Sequence, residues 1–140
     1  MNPAIWGKSA WIFLHSITMT YPVCPSESDK YNMKTFFMTL GNVLPCPTCK
    51  GNYTKHMEEL PLTNEILNSK EYLIKWLIDF HNLINKDNGK KQLTYDDVQN
   101  IYSDIYGYNN KSKIFKIYLI LFIFIIMIII ISIIFWNKIK

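Results

Sequence analysis

Residues 69–89 read SKEYLIKWLIDFHNLINKDNG, and this stretch decides the fold class. Its apolar residues recur every three or four positions, which is the period of one face of an α-helix. Ser69 is a suitable N-cap residue, and Asn88 with Gly89 provides a left-handed exit from a helix. The stretch therefore predicts an amphipathic helix that packs into a core. The apolar side of this helix comprises Tyr72, Leu73, Trp76, Leu77, Phe80, Leu83 and Ile84.

Helical signals continue on both sides of this stretch. Asn2 followed by Pro3 opens a first helix, and Thr94 with Asp97 resembles a capping box that opens a last one. Residues 22–29 are rich in proline and serine and are predicted to form a loop. Because no stretch alternates strictly between apolar and polar residues, we expect an all-α, four-helix bundle with a short fifth helix. With their caps, the predicted helices cover residues 2–20, 31–44, 46–59, 69–88 and 94–106.

The C-terminal part of the chain has a different composition. Residues 117–136 carry no charge and consist almost entirely of Ile, Leu and Phe. About 20 apolar residues are enough to cross the hydrocarbon core of a bilayer, so the sequence predicts one transmembrane helix. Trp136 stands where an interfacial aromatic residue is expected. Lysines flank the span on both sides: Lys111, Lys113 and Lys116 before it, Lys138 and Lys140 after it.

These boundaries predict the organisation of the whole chain. We expect a folded domain over residues 1–108, a basic linker over 109–116, a transmembrane helix over 117–136 and a short tail over 137–140. The first 16 residues have neither the charged region nor the continuous apolar region of a signal peptide. We therefore expect a single-pass tail anchor, with the folded domain facing the cytosol.

The charge of the folded part argues against a nucleic-acid partner. The whole chain has a net charge of +4, but residues 1–110 carry ten Lys against eleven Asp and Glu, a balance of −1. The chain has no Arg, and the lysines of the folded part form no basic run. A nucleic-acid-binding protein is expected to show a basic patch or stripe. We therefore expect no nucleic-acid partner.

The pair Cys46 and Cys49 is the clearest chemical motif. At the start of a helix, unpaired N–H groups and the helix dipole stabilise a thiolate, which makes such a pair able to exchange disulfides. We expect one thiol at the exposed end of the helix and the other about one turn further in. The alternative is half of a zinc site. The remaining candidate ligands are Cys24, His15, His56 and His81, which include no second closely spaced pair.

Two further groups of residues suggest a ligand. Lys8, Trp11 and His15 share one face of the first helix, and a cation, a flat aromatic ring and an imidazole suit a large aromatic, phosphorylated ligand. Taken alone, the pattern favours the core instead, because a Trp on a helix and a single His usually belong to it. His81, Asn82 and Asn85 interrupt the apolar stripe of the fourth helix. Because a buried polar group without a partner costs about 1–3 kcal/mol, they either bond one another or hold a polar ligand.

In this order, the motifs resemble those of the Erv/ALR family of FAD-dependent sulfhydryl oxidases. The resemblance covers nearly all of residues 3–108. It rests on Trp6-Gly7-Lys8-Ser9-Ala10-Trp11-Ile12-Phe13-Leu14-His15, Tyr21-Pro22, Pro45-Cys46-Pro47-Thr48-Cys49 and His81-Asn82-Leu83-Ile84-Asn85-Lys86. A Cys-x-x-Cys motif alone would be weak, whereas these motifs in this order are specific.

The resemblance implies an enzyme, a cofactor and a set of site residues. It implies a thiol oxidase that forms disulfide bonds in substrate proteins and reduces oxygen to hydrogen peroxide. Substrate thiols would attack Cys46, and Cys49 would lie nearer the FAD; no metal is implied. Homodimerisation is a property of the family. The implied cofactor-binding residues are Gly7, Lys8, Trp11, His15, Tyr21, Cys49, His81, Asn82, Ile84, Asn85, Lys86, Lys90 and Tyr102.

The sequence also departs from the family pattern. Ile78 and Tyr95 stand where most cellular members have a further disulfide, and no second Cys pair is present to shuttle electrons. Substrates would therefore meet Cys46 directly or through a thioredoxin-like relay protein. A minimal domain with a tail anchor resembles the forms found in large cytoplasmic DNA viruses, which implies a virion membrane as a location. The alternatives are a membrane-anchored zinc-binding or adaptor module without catalysis, and a purely structural helical membrane protein.

Overall fold

The computed structural model describes the backbone of residues 1–139 and the side chains of residues 1–108 and 113–137. The described residues form helices joined by short loops, without a strand. Two compact units are present, Met1–Val98 and Gln99–Lys140. The predicted all-α fold with one C-terminal apolar helix is confirmed. The helices are α1 (Pro3–Met19), α2 (Glu27–Val43), α3 (Pro47–Glu59), α4 (Asn64–Leu67), α5 (Lys70–Asp87), α6 (Tyr95–Ile105) and α7 (Tyr108–Ile139).

Side-chain caps determine where the helices begin. The Ser69 side chain accepts the N–H of Tyr72 at the start of α5, as the sequence predicts. Thr94 and Asp97 exchange two hydrogen bonds of 3.0 Å, which confirms the capping box before α6. A capping box satisfies two N–H groups that the first helical turn leaves without partners.

Two details of the helix prediction are wrong. The predicted loop extends too far, because α2 begins at Glu27 behind a capping box formed by Ser26 and Asp29. The short helix α4 was not predicted. The Thr63 side chain caps α4, and the helix has only four residues, too few to show a periodic pattern.

Helix α5 lies at the centre of the first unit and contacts α1, α3 and α4. Phe80 packs against the rings of Tyr53 and Trp76, and Trp76 packs edge-on against Phe37. Most of the predicted apolar stripe of α5 is buried, but its two ends are not: Tyr72 is 53% exposed, and Leu83 and Ile84 are half-buried. Tyr72 begins the stripe at its outer edge and faces a surface hollow rather than the core.

The side-chain contacts show how the helices run relative to α5. The Trp76 indole donates to the carbonyl of Leu60 at the end of α3, so α3 is antiparallel to α5. Helix α1 is also antiparallel to α5, because Trp11 stacks on His81 while Tyr21, after α1, donates to the carbonyl of Leu67, before α5. The N-termini of α1 and α3 therefore lie with the C-terminus of α5 at one end of the bundle, which is called the cysteine end below.

Helices α2 and α3 approach closely at Gly41. A Cβ atom added there would lie 2.7 Å from a ring carbon of Tyr53, whose hydroxyl donates to the carbonyl of Phe37 (2.7 Å). A Cβ atom added at Gly51, in α3, would have no neighbouring atom within 4 Å.

We expect Gly41→Ala to lower the free energy of unfolding relative to Gly51→Ala by about 1–3 kcal/mol, the usual cost of overpacking. Both substitutions gain similar helix propensity, so their difference isolates the contact with Tyr53. Urea unfolding of the full chain in detergent measures it. Equal stabilities of the two variants would contradict the close approach.

Helix α7 belongs to the second unit. Within the described residues, Lys113–Asn137 is the one helical segment long and apolar enough to cross a membrane, and it includes the predicted span 117–136. The backbone of the predicted basic linker continues into this helix. Of the flanking lysines, Lys140 lies outside the described residues, and the side chains of Lys111 and Lys138 lie outside the described side chains.

Candidate active site

Cys46 and Cys49 form a disulfide at the N-terminus of α3, with their Cα atoms 5.1 Å apart. Cys46 is the N-cap residue, and its Sγ accepts the N–H of Cys49 at 3.2 Å. The sequence did not specify which of the two cysteines is the more exposed, and the structure does. Cys46 is only 8% exposed, whereas Cys49 is half-buried. The reason is the cap itself, which folds the Cys46 side chain over the first turn of the helix.

This position suits thiol exchange. When the disulfide is opened, a thiolate at Cys46 lies beside the N–H groups of the first turn and the positive end of the helix dipole. The zinc alternative receives no support, because no group of three or more His, Cys, Asp or Glu side chains forms a metal site among the described residues.

Trp11, His15 and His81 form an aromatic cluster between α1 and α5. The rings of Trp11 and His81 are stacked, with centroids 3.6 Å apart and planes 10° apart. His15 Nε2 lies 3.2 Å from His81 Nδ1, so one ring donates a hydrogen bond to the other. The sequence predicted each of these residues at the site, and the structure brings them together.

Both imidazoles are uncharged at neutral pH. Burial lowers the pKa of His15 from its ordinary value of 6.5 to about 4. Burial also lowers the pKa of His81, to about 3, with smaller contributions from the charges of His15 and Lys90. The cluster therefore presents flat, neutral rings, which suit a planar aromatic ligand.

We expect the chain to lose stability as the pH falls below about 6.5. Between that pH and the lowered pKa of His15, about 4, the unfolded chain binds a proton that the folded chain excludes. Above this window the histidine pair has no effect on stability. Urea unfolding of the flavin-free chain at pH 7 and pH 5 measures the loss, about 2 kcal/mol for each of the two histidines. A His15→Asn, His81→Asn double variant should show a smaller loss, and an equal loss would exclude this cause.

The polar residues near the cluster hold loops in place. The Asn82 amide bonds the backbone N–H and carbonyl of Leu93, both at 2.8 Å. Asn85 is buried, and its carbonyl accepts the N–H of Lys90 at 2.8 Å. The Tyr21 hydroxyl donates to the carbonyl of Leu67 at 3.0 Å. The two asparagine contacts fix the segment after α5, and the Tyr21 contact ties the end of α1 to the end of α4.

The other predicted cofactor-binding residues occupy different environments. Gly7 and Ile84 are half-buried. Lys8, Lys86 and Lys90 are exposed, and their positions at the start of α1 and the end of α5 place them at the cysteine end. Tyr102 belongs to the second compact unit, so its contact with a cofactor stays a prediction.

Two residues outside the predicted set have unusual environments. The Nε1 atom of Trp6 is buried and has no hydrogen-bond acceptor within the described protein. Its position at the start of the first motif was the signal that could have identified it. His56 is buried in α3 near Asp87. A single histidine on an apolar helix face gives no such signal in the sequence.

The site fits a flavin dinucleotide by the chemistry of its groups. The neutral rings of Trp11 and His81 suit a planar heterocycle, and Trp6 offers a buried N–H donor. Lysines at the cysteine end suit phosphates. These groups lie on α1, on α5 or just after α5, and the ends of these helices lie at the cysteine end.

Comparison with known proteins agrees with this assignment. The family model described as the Erv1 / Alr family matches residues 8–103. The chain belongs to the Erv1/Alr family.

The relatives in this family include viral and cellular proteins named FAD-linked sulfhydryl oxidases. A probable oxidase of this name from Acanthamoeba polyphaga mimivirus is 47% identical over 95 residues, which are 68% of this chain and 66% of that protein. The mitochondrial enzyme of Saccharomyces cerevisiae is 34% identical over 80 residues, 57% of this chain and 41% of that protein. An African swine fever virus protein is 30% identical over 97 residues, 69% of this chain and 79% of that protein.

Solved structures of Erv1/Alr proteins share the fold. The crystal structure of the FAD binding domain of Erv1 from Saccharomyces cerevisiae matches with a TM-score of 0.62 and 30% identity. The match covers 67% of this chain and 87% of that domain. The chain spans less than two thirds of the mimivirus and yeast relatives. The common part is therefore the helical Erv1/Alr domain.

Proposed function

We propose that this chain is an FAD-linked thiol oxidase that makes disulfide bonds in substrate proteins. The observation that carries the proposal is the Cys46–Cys49 disulfide at the N-terminus of α3. It lies at the bundle end where α1 and α5 bring the lysines expected to bind phosphates. Membership of the Erv1/Alr family supports the same activity, because the relatives are named FAD-linked sulfhydryl oxidases.

The cysteines carry out the exchange with substrate. A substrate thiolate attacks Cys46 Sγ, the Cys46–Cys49 bond breaks, and Cys49 leaves as a thiolate. The second substrate thiol then loses its proton and attacks the mixed disulfide. This step releases an oxidised substrate and leaves two electrons on the reduced pair. Because Cys46 is nearly buried, we expect the substrate to be a mobile dithiol segment that can reach into the first turn of α3.

The surrounding residues would bind the cofactor. A bound FAD would supply the redox chemistry that carries the electron pair from the cysteines to oxygen, with hydrogen peroxide as the product. Trp11, His15 and His81 would contact the aromatic rings, and Asn82 would hold the loop beside them. Lys8, Lys86 and Lys90 would balance the charge of the phosphates. Ile84 and Asn85 would lie behind the cofactor on α5, and Tyr102 would stack on the adenine.

The proposal includes partners and a location. Substrate protein thiols would react directly or through a thioredoxin-like relay protein. Ile5 and Phe13 are exposed apolar residues on α1 and support a homodimer in which they are covered. Helix α7 would anchor the chain in a membrane with the oxidase domain in the cytosol, and a virion membrane is the proposed site. Light scattering of the detergent-solubilised chain tests the dimer, and Phe13→Asp should give monomers.

The test of the function uses the full chain purified in detergent. We expect a flavin absorbance spectrum, oxygen uptake with dithiothreitol, and one hydrogen peroxide for each disulfide formed. A folded but colourless chain that consumes no oxygen would contradict the proposal. Bound zinc in that colourless chain would instead support the adaptor module.

A further inference from the structure

The inward face of α3 joins the cysteine pair to a buried histidine. Cys46, Cys49, Tyr53, His56 and Leu60 follow one another at spacings of three or four residues, so they share one face of the helix. Each is buried or half-buried, and Phe80 of α5 packs against Tyr53 and His56. A rotation of α3 about its axis would therefore move the sulfur atoms and His56 together.

His56 contacts carboxylates on two helices. Its side chain belongs to a residue only 1% exposed, and its Nε2 lies 3.0 Å from Oδ2 of Asp87 at the end of α5. Its Nδ1 lies 3.4 Å from Oε2 of Glu59 in α3. Each imidazole nitrogen of His56 therefore lies within 3.4 Å of a carboxylate oxygen.

The position of Asp87 is otherwise unfavourable. A carboxylate in the last turn of a helix is repelled by the negative end of the helix dipole. Asp87 also lies between Lys86 and Lys90, which are proposed to bind phosphates. A negative charge at this position repels the phosphates of the ligand. The His56 side chain approaches this carboxylate, and Lys55 Nζ lies 4.0 Å from the same oxygen. Of the two contacts, the one with His56 is the shorter and joins α3 to the end of α5 from a buried position.

We propose that His56 is a positioning residue that, through Asp87, fixes the rotation of α3 and so aligns the Cys46–Cys49 pair with the cofactor site on α5. This inference rests on the proposed function. His56 lies seven residues after Cys49, about two turns or 10 Å along the helix, so it acts through the helix and does not touch the reacting atoms.

The first test measures the transfer of electrons from the cysteine pair. Flavin reduction by dithiothreitol is followed without oxygen in the full chain, for His56→Phe, Asp87→Ala, the double variant and the control Lys55→Ala. Rates are normalised to flavin content. Because small misplacements of reacting groups slow reactions strongly, we expect His56→Phe and Asp87→Ala each to slow reduction about tenfold. The double variant should reduce the flavin no more slowly than either single variant. The rate of Lys55→Ala should stay within about twofold of the wild-type rate.

The second test reports the alignment without turnover. The reduced chain is treated briefly with limiting iodoacetamide, and the ratio of label on Cys49 to label on Cys46 is measured by mass spectrometry. We expect His56→Phe to change this ratio by at least about threefold and Lys55→Ala to leave it unchanged.

The outcomes separate the two proposals. A wild-type chain without flavin or oxygen uptake overturns the oxidase function, and the positioning role with it. A working wild-type enzyme whose His56→Phe variant keeps both the reduction rate and the labelling ratio overturns the positioning role alone. Thermal unfolding of each variant shows whether it is folded at the assay temperature. If a variant is partly unfolded there, the labelling ratio of its folded fraction decides whether His56 positions the cysteine pair.

Discussion

Replacing Cys49 by serine is expected to abolish oxygen uptake with dithiothreitol, with a loss of more than about 1,000-fold. Serine cannot form the disulfide with Cys46 that accepts electrons from the substrate. The loss is therefore a loss of chemistry rather than of binding. Flavin absorbance should be retained, because the change from sulfur to oxygen leaves the neighbouring rings in place.

Two further variants test this interpretation. Cys46→Ser should be as inactive as Cys49→Ser, since either change removes the disulfide. Cys24→Ser should retain full activity, because Cys24 is an exposed free cysteine in a loop. Uptake by Cys49→Ser above a tenth of the wild-type rate would mean that another thiol or the flavin alone carries the reaction.

The Phe37→Ala variant is expected to lose about 3–5 kcal/mol of unfolding free energy, the usual cost of removing a buried phenylalanine side chain. Phe37 is 0% exposed and packs edge-on against Phe36 and Trp76. Its removal leaves a cavity where α2 meets α5. A domain of this size has few such residues to spare, so the variant should also lose flavin at moderate temperature.

Tyr31→Ala is the matched control on the same helix. Tyr31 is 70% exposed, so the same aromatic-to-alanine change should cost less than about 1 kcal/mol. Urea unfolding followed by circular dichroism compares the two variants. A cost for Phe37→Ala no greater than that for Tyr31→Ala would show that α2 does not pack in the way described.

Much of the fold could be predicted from the sequence because its signals are local. The boundaries of α1, α3, α5 and α6 follow from caps and helical spacing within a few residues. The start of α2 was predicted too late because the capping box of Ser26 and Asp29 lies inside a segment rich in proline and serine. The exposure of Tyr72 could not be predicted, since periodicity marks a stripe but not its edge.

The candidate site was predicted from motifs more than from physics. The residue types around Trp11 and His81 suit a planar ligand, but without the resemblance the core interpretation was the stronger one for Trp11 and remained open for His81. The role of Asn82 in holding Leu93 could not be read from the motif, because the partner is a backbone group eleven residues away in a loop. Trp6 lay within a motif, yet only its buried, unsatisfied indole marks it as a candidate donor.

By itself, the sequence determined the longer helices, the position of the cysteine pair at a helix N-terminus and the apolar span near the C-terminus. These depend on spacing, caps and composition, which act between neighbouring residues. Only the tertiary structure decided which distant residues meet. His15 and His81 are 66 positions apart, and their burial against each other is what lowers the pKa of both. The deeper burial of Cys46 and the contact of His56 with Asp87 likewise depend on how α3 packs in the bundle, which no local pattern specifies.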